Sequence, residues 1–189
     1  MRVIAGVAKG RRLKSLPGSA TRPITGRVKE ALFDILEPRL EGAHFLDLFA
    51  GTGSVGIEAL SRGAERAVFV DQGRKAVELI KENLALTGLT DRARIVQQDV
   101  FRFIRKGAPA PFDIVYLAPP QYRGLWAETL QELDSHKEIL KPEGLVIAQM
   151  HTKEYQVLRL ETLGFQERRR YGSTLLCFYS PKEPGQEPN

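Results

Sequence analysis

Glycines and aspartates at fixed spacing predict a site for a nucleoside cofactor. The segment LDLFAGTGSVG contains Gly51, Gly53 and Gly56 in the spacing G-x-G-x-x-G, and Asp47 stands four residues before the first of them. Glycines in such a loop permit a tight turn and a close approach of the backbone to a ligand. Asp71 follows Gly51 by twenty residues, a separation at which an acidic side chain can accept hydrogen bonds from a ribose diol.

The acidic residues favour S-adenosylmethionine (SAM) over a nicotinamide dinucleotide as the cofactor. A carboxylate such as Asp47, so close to the loop, suits the cationic amino-acid group of SAM better than it suits a pyrophosphate. Asp99, in the segment VQQDV, could accept a hydrogen bond from an adenine amino group. Taken singly, Asp71 and Asp99 are equally compatible with a structural role as helix N-caps.

The stretch YLAPPQY, residues 116–122, is the second candidate for chemistry. Two prolines and a tyrosine follow an apolar run, and Ala118 stands where a polar residue is expected. The stretch is a rebuilt active site, a damaged one, or a proline turn that ends a strand with Tyr122 packed locally.

These candidate residues follow short apolar runs that alternate with helical patterns. The runs HFLDLF, AVFV, ARIVQ, FDIVYL, GLVIAQM and TLLCFYS predict strands, and helices are predicted near residues 25–36 and over RKAVELIKENLALTG. This alternation predicts an α/β fold with a mostly parallel sheet, right-handed crossovers and helices on both faces. The candidate residues would then lie at the carboxyl ends of strands, where such sheets bind ligands. Trp126, Leu130 and Leu133 recur at helical spacing and are predicted to belong to the core.

The basic charge is concentrated at the amino terminus. The formal net charge is +5, yet the first 29 residues contain no acidic group, so the rest of the chain sums to −3. Such a segment is typical of contact with a phosphate backbone, the alternative being a solvated arm that aids solubility. The eight basic residues are Arg2, Lys9, Arg11, Arg12, Lys14, Arg22, Arg27 and Lys29.

Composition argues against several other classes of protein. A lone cysteine, Cys177, predicts a small buried hydrophobe rather than a disulfide or a metal site. His44, His136 and His151 lack metal-ligand spacing, so no metal is expected. No signal peptide or long apolar run is evident, so we expect a cytoplasmic protein without a membrane segment. We expect one domain over residues 1–180, with a basic extension over 1–40, a disordered tail over 181–189, and a monomeric state.

The glycine loop and its acids resemble the Rossmann-like class I SAM-dependent methyltransferases. The segments RVIAGVAKGRRL and TRPITGRVKEALFDIL are similar to the amino terminus of the RsmD family of 16S rRNA guanine-N2 methyltransferases, and the resemblance extends to roughly residue 180. It implies a target base in 16S rRNA within the small ribosomal subunit or its assembly intermediate. It implies cofactor contacts for Asp47, Phe49, Gly51, Gly53, Asp71, Asp99 and Val100. It leads us to expect RNA contacts for Lys9, Arg11, Arg12, Arg22 and Arg27.

The chain departs from the family pattern in two places. The family motif R-P-T-x-D-R reads RPITGR here, with Gly26 in place of an acid, and the motif [DN]-P-P-[FY] reads APPQY. In the family, the Asp or Asn oxygen and a backbone carbonyl hold the target amine while the aromatic ring stacks on the extruded base. The replacement catalytic set would be Ala118, Pro119, Pro120, Gln121 and Tyr122.

Two further hypotheses therefore remain beside an active guanine-N2 methyltransferase. One is an RNA-binding or assembly module that keeps the SAM fold but has lost chemistry at Ala118. The other is a methyltransferase for a different amine or amide, such as a protein glutamine or a DNA adenine.

Overall fold

A single seven-stranded sheet organises the chain. The computed structural model describes residues 1–15 and 24–182, and within them the strand order is β3-β2-β1-β4-β5-β7-β6. The strands are β1 (His44–Leu48), β2 (Arg66–Asp71), β3 (Ala93–Gln97), β4 (Phe112–Leu117), β5 (Leu140–His151), β6 (Leu163–Tyr171) and β7 (Thr174–Pro181). The helices are α1 (Gly26–Leu36), α2 (Ser54–Ser61), α3 (Arg74–Thr87), α4 (Val100–Lys106) and α5 (Leu125–Ser135). Arg22 and residues 183–189 lie outside the described residues, so the predicted tail is untested over that range.

The mostly parallel sheet predicted from the apolar runs is confirmed. Strands β1 to β5 pair in parallel, and β7 runs antiparallel between β5 and β6. Sequence analysis did not predict β6, because only Leu163 and Gly164 of this edge strand are buried and the segment ERRRY is largely exposed. An edge strand packed on so little of its length leaves no apolar run to detect.

Helices on both faces give the sheet two hydrophobic cores. Helices α1, α2 and α3 cover one face, and α4 and α5 cover the other. Trp126, Leu130 and Leu133 of α5 are buried in the second core, as predicted. Cys177 is fully buried in the same core, which agrees with its predicted role as a small hydrophobe. Among the described residues, no helix has the length and apolarity needed to cross a bilayer.

The basic amino-terminal segment is folded against α2 rather than extended. The carboxylate of Glu58 accepts hydrogen bonds from the Ile4 and Ala5 N–H groups at 2.9–3.1 Å. Ser61 accepts from the Ala8 N–H through Oγ at 3.0 Å and from the Val7 N–H through its carbonyl at 2.8 Å. These contacts satisfy backbone donors that the segment cannot pair internally.

Lys29, predicted to be one of eight basic residues of the amino-terminal segment, is not available to a ligand. Its side chain is 1% exposed, its Nζ lies 2.9 Å from Glu58 Oε2, and it also donates to the Arg2 carbonyl. Burial lowers the pKa of Lys29, and the neighbouring Glu58 opposes that shift. Lys29 therefore holds α1, α2 and the amino-terminal segment together, and it does not belong to a phosphate-binding surface.

Substituting Gly6 should release this segment, whereas substituting Gly10 should not. Both glycines have a positive φ, +78° and +84°, but an added Cβ would meet the Ser61 carbonyl oxygen at 1.8 Å in Gly6 and nothing within 4 Å in Gly10. We expect Gly10→Ala to cost about 1–2 kcal/mol from backbone strain and Gly6→Ala about 1–3 kcal/mol more from the clash. Urea denaturation measures both free energies of unfolding, and equal losses would contradict the docked position of Gly6.

Candidate active site

The carboxyl ends of β1, β2, β3 and β4 bring most of the predicted cofactor residues to one cavity. This cavity has a volume of about 210 Å³. It lies where the strand order reverses between β1 and β4, the usual ligand position in such sheets. Its lining residues are Phe49, Gly51, Asp71, Gln72, Ala76, Asp99, Val100 and Pro120. Sequence reasoning had not singled out Gln72 and Ala76, which follow Asp71 without a motif of their own.

The glycine loop is held by Asp71 and by close packing. Asp71 Oδ2 accepts from the Gly51 N–H at 2.9 Å, and Oδ1 accepts from the Gly73 N–H at 2.8 Å. The cap residue of α3 is Gly73, so the structure does not support Asp71 as a helix N-cap. A Cβ on Gly56 would lie 2.3 Å from the Phe69 ring. The third glycine of the motif is therefore required for contact between α2 and β2.

Asp47 supports the loop from within the core. It is 2% exposed, its Oδ2 accepts from the Gly56 N–H at 2.9 Å, and it is absent from the cavity lining. Burial raises the pKa of Asp47 to about 8; the Gly56 hydrogen bond opposes this shift and the charge of Asp71 adds to it. The geometry thus gives Asp47 a role in shaping the loop, and direct contact with the methionine end of a cofactor stays a prediction. Gly53 is also buried outside the lining.

Asp99 caps a helix and also lines the candidate cavity. Its Oδ1 caps α4 by accepting from the Arg102 N–H at 3.0 Å. The same residue lines the cavity next to Val100. A carboxylate has two oxygens with several acceptor positions, so capping through Oδ1 is compatible with a ligand contact through Oδ2.

The loop after β4 carries the predicted catalytic residues beside the cavity. Ala118 packs partly against the first core, Pro119 is buried, and Pro120 lines the cavity. Tyr122 is 66% exposed and has φ +61°, a left-handed conformation that is strained for a tyrosine. The Tyr122 ring is therefore largely open to solvent, and both the rebuilt site and the proline turn with a locally packed tyrosine stay predictions. Gln121 is half-buried.

Two side chains outside the predicted site contact this loop. Glu154 Oε1 accepts from the Tyr122 N–H at 2.7 Å. The rings of Tyr122 and His151 have centroids 5.3 Å apart and an interplanar angle of 42°. His151 had been considered only as a metal ligand, and no motif pointed to Glu154, because both meet Tyr122 through tertiary structure alone.

The predicted RNA-contacting residues are exposed wherever the structure describes them. Lys9, Arg11, Arg12 and Arg27 are exposed, while Arg22 falls outside the described residues. Asn83 Nδ2 donates to the Lys14 carbonyl at 3.1 Å and to the Thr52 carbonyl at 2.9 Å, so the end of the segment is tied to the glycine loop. Strand β6 adds a second run of exposed basic residues that the sequence analysis did not single out. These are Arg168, Arg169 and Arg170.

Comparison with known proteins identifies the family. The family described as Conserved hypothetical protein 95 matches residues 1–180. Ribosomal RNA small subunit methyltransferase D of Haemophilus influenzae is 33% identical over 180 residues, covering 90% of this chain and 93% of the relative. The chain belongs to the RsmD family of rRNA methyltransferases.

Further relatives of this RsmD-family chain agree in sequence and fold. YlbH of Bacillus subtilis is 37% identical over 187 residues, covering 96% of this chain and all of YlbH. The structure of the Thermus thermophilus protein TTHA0928 superposes with a TM-score of 0.79 at 34% identity, covering 95% and 99% of the two chains. At 17% identity, the structure of SMU.776 complexed with SAH has a TM-score of 0.65 and covers 80% and 49% of the two chains. The class I methyltransferase fold predicted from the sequence is confirmed.

A larger cavity in this RsmD-family chain lies away from the candidate residues. Its volume is about 420 Å³, and it is found near the amino end of β5, where Leu140, Leu163 and Lys182 contribute to its wall. None of the predicted cofactor or catalytic residues lines it. The strand-end chemistry therefore favours the smaller cavity as the candidate site.

Asp47 predicts a measurable pH dependence of stability. Its pKa of about 8 in the folded protein exceeds the ordinary value of 3.8, so the folded state binds an extra proton between these values and stability falls as pH rises through that window. Relative to Asp47→Asn, whose amide oxygen can still accept from Gly56, the wild type should lose about 2 kcal/mol between about pH 6 and 7.5. Chemical denaturation across this range measures the difference. Parallel curves would mean that Asp47 is ionised in the folded protein.

Proposed function

We propose that this RsmD-family protein methylates the exocyclic N2 amine of a guanine in 16S rRNA, using SAM. The observation that carries the proposal is the position of Pro120, which lines the cofactor cavity and directly precedes the turn that holds half-buried Gln121 and exposed Tyr122. One short loop thus borders both the cofactor and the surface from which a base can enter. Transfer of a methyl group from a cofactor to a base requires the two ligands to be bound next to each other.

The charge of the cavity favours SAM over a dinucleotide. Asp71 and Asp99 are its ionisable lining groups, and no lysine or arginine is found among the described residues that line it. A pyrophosphate would meet two carboxylates without a compensating cation, whereas the cationic cofactor is attracted to them. Phe49, Val100 and Pro120 offer apolar contacts for an adenine. When bound, SAM supplies an electrophilic methyl carbon attached to a positively charged sulfur.

The chain's own groups would hold and orient the target amine. A guanine N2 lone pair is delocalised into the ring, so catalysis requires acceptors that orient the amine and favour its developing positive charge. The carbonyls of Ala118 and Pro119 are backbone acceptors, and Gln121 adds a side-chain amide oxygen. Tyr122, two-thirds exposed, provides a face on which an extruded base can stack.

The rRNA substrate is supported by the relatives and by the exposed basic residues. The Haemophilus influenzae relative is named a small-subunit rRNA methyltransferase. Arg11 and Arg12 are exposed on a segment whose backbone is fixed. The Arg11 carbonyl accepts from the Val3 N–H at 3.0 Å, and the backbones of Arg12 and Arg2 form an antiparallel β-bridge. Fixed cations suit the regular spacing of phosphates. We propose 16S rRNA within an assembling small subunit as the partner.

A second candidate function follows from Ala118 itself. A methyl side chain at the position of the family Asp or Asn removes one acceptor from the site. A protein that retained cofactor and RNA binding but lacked transfer would then act as an assembly module. Because positioning of reactants can supply about 7–11 kcal/mol of barrier lowering, the loss of one acceptor does not by itself require the loss of activity, and we favour the enzyme.

Asp71→Ala should weaken SAM binding by about 2–3 kcal/mol, because the proposed charged acceptor for the ribose diol is lost and the Gly51 and Gly73 N–H groups that hold the glycine loop are left unpaired. Isothermal titration calorimetry with SAM and, separately, with NADH measures the effect and tests the cofactor assignment. Binding of NADH in place of SAM would overturn that assignment.

Tyr122→Ala should reduce methyl transfer to undermethylated small subunits by about 5- to 150-fold, the value of one lost stacking contact of roughly 1–3 kcal/mol. Gln121→Ala should cost a smaller factor if its amide helps to hold the amine. Steady-state transfer of a labelled methyl group provides the measurement. Full activity of Tyr122→Ala would contradict a stacking role.

Replacing Arg11 and Arg12 together with alanine should weaken binding to the small subunit and lower the salt slope by about one unit per lost phosphate contact. Arg66→Ala with Arg94→Ala removes the same charge from exposed positions on β2 and β3 and serves as the matched control. Binding isotherms at several salt concentrations give both slopes. Equal slopes for the two double variants would exclude a specific RNA footprint on the amino-terminal segment.

The function as a whole is tested by mass spectrometry of rRNA nucleosides from a strain that lacks this protein. We expect one N2-methylguanosine to be missing from 16S rRNA and to return when the wild-type chain is supplied. An unchanged nucleoside profile would refute the proposed modification, whereas a defect in subunit assembly with an unchanged profile would favour the assembly module.

A further inference from the structure

We propose that Glu154 and His151 form the second half of the target-base site, Glu154 as a positioning residue and His151 as a second ring against the base. This inference rests on the proposed function, because it assigns new residues to the same substrate. It arises from the turn after β5, which neither the glycine loop nor the APPQY stretch includes.

A single carboxylate joins the loops that follow β4 and β5. Glu154 Oε1 accepts from the Tyr122 N–H at 2.7 Å, and its Oε2 accepts from the His151 N–H at 3.2 Å. We call this arrangement the Glu154 clamp. Hydrogen bonds from backbone N–H groups to an ionised carboxylate are about twice as strong as neutral ones. The clamp therefore fixes the spacing of the Tyr122 and His151 backbones.

The clamp acts on a residue that would not otherwise keep its conformation. Tyr122 has φ +61°, a region that a tyrosine occupies only when surrounding structure holds it there. The Glu154 hydrogen bond to its N–H provides that restraint and thereby sets the direction of the exposed ring. Without the clamp, the loop would relax towards the ordinary backbone regions and the ring would lose its fixed position.

The turn that supplies the clamp is itself anchored. The Lys153 N–H donates to His151 Nδ1 at 3.1 Å, which with the Glu154 bond to the His151 N–H completes a capping box. The Thr152 N–H donates to the Ser173 carbonyl at 2.9 Å in the turn between β6 and β7. The His151 ring is thus held through Nδ1 by the turn itself. Both the ring and the carboxylate are therefore fixed before a substrate arrives.

The two rings contact each other and still leave Tyr122 open to a planar ligand. Their centroids are 5.3 Å apart with a tilt of 42°, and Tyr122 keeps two-thirds of its surface exposed. An exposed aromatic ring on a strained, clamped backbone next to the cofactor cavity is a feature that folding alone does not require. An extruded guanine offers the planar π-face that such rings contact.

A double-mutant cycle tests the clamp on purified protein and undermethylated small subunits. Glu154→Ala should lower kcat/KM for the particle by about 10-fold, the value of a lost hydrogen bond to a charged group, with the Kd for SAM unchanged because Glu154 does not line the cavity. In a Tyr122→Ala background the same change should cost little, since no ring remains to be oriented. Glu154→Gln, which keeps an acceptor for the Tyr122 N–H, should restore part of the loss. Glu143→Ala removes an exposed acid near the opposite end of β5 and is the control.

The same cycle measured on the Kd for the particle separates this inference from the proposed function. Additive losses in both kcat/KM and Kd would overturn the clamp, since Glu154 would then act independently of Tyr122. If the wild-type protein transfers no methyl group but the two substitutions have non-additive effects on the Kd for the particle, the clamp is upheld and the proposed enzymatic activity is refuted. His151→Phe should keep most of the affinity while His151→Ala should lower it about 5-fold, the smaller end of a stacking contact. Equal affinities for these two variants would remove His151 from the base site.

Discussion

Parallel pairing of β1 with both β2 and β4 is the constraint on which the site depends. Because these strands run in the same direction, their carboxyl ends deliver Phe49, Asp71 and Pro120 to a single edge of the sheet. Helix α2, which follows β1, and helix α5, which follows β4, cover opposite faces of the sheet. Their divergence opens a crevice at that edge. Loss of this pairing would separate the cofactor cavity from the APPQY loop, whatever the chemistry of the individual side chains.

Glu58 gives the amino-terminal segment its fixed place beside this sheet. Its buried carboxylate binds two backbone N–H groups of the segment, Lys29 of α1 and, at 3.0 Å, Arg62 directly after α2. Burial alone would raise the pKa of Glu58, but Lys29 and the N–H donors hold it below its ordinary value. A buried charge with this many donors is costly to disturb, since removing one member leaves the others unpaired. The basic residues beyond it are therefore displayed on a rigid loop.

The sequence predicted the parallel strands and the cavity residues because periodicity and strand-end motifs are local signals. It did not predict β6, whose packing is too slight to leave a pattern. The burial of Lys29 could have been predicted, because residues 28, 29, 32, 33 and 36 of α1 form one buried stripe at helical spacing. It was not predicted because lysines are mostly exposed to solvent. Glu154 and His151 had none: their contacts with Tyr122 span about thirty residues and exist only once β4 and β5 have paired.

The central question for the proposed function is whether a site with Ala118 in place of an Asp or Asn acceptor can transfer a methyl group. In the proposed function, backbone carbonyls, the Gln121 amide and the strained Tyr122 would together take the place of that one acceptor, and positioning of the reactants would supply the catalysis. The most direct measurement incubates purified wild-type protein and methyl-labelled SAM with small subunits from a strain that lacks the enzyme, followed by nucleoside mass spectrometry. We expect labelled N2-methylguanosine in 16S rRNA. Binding of SAM and of the particles without any labelled guanosine would contradict the proposed methylation.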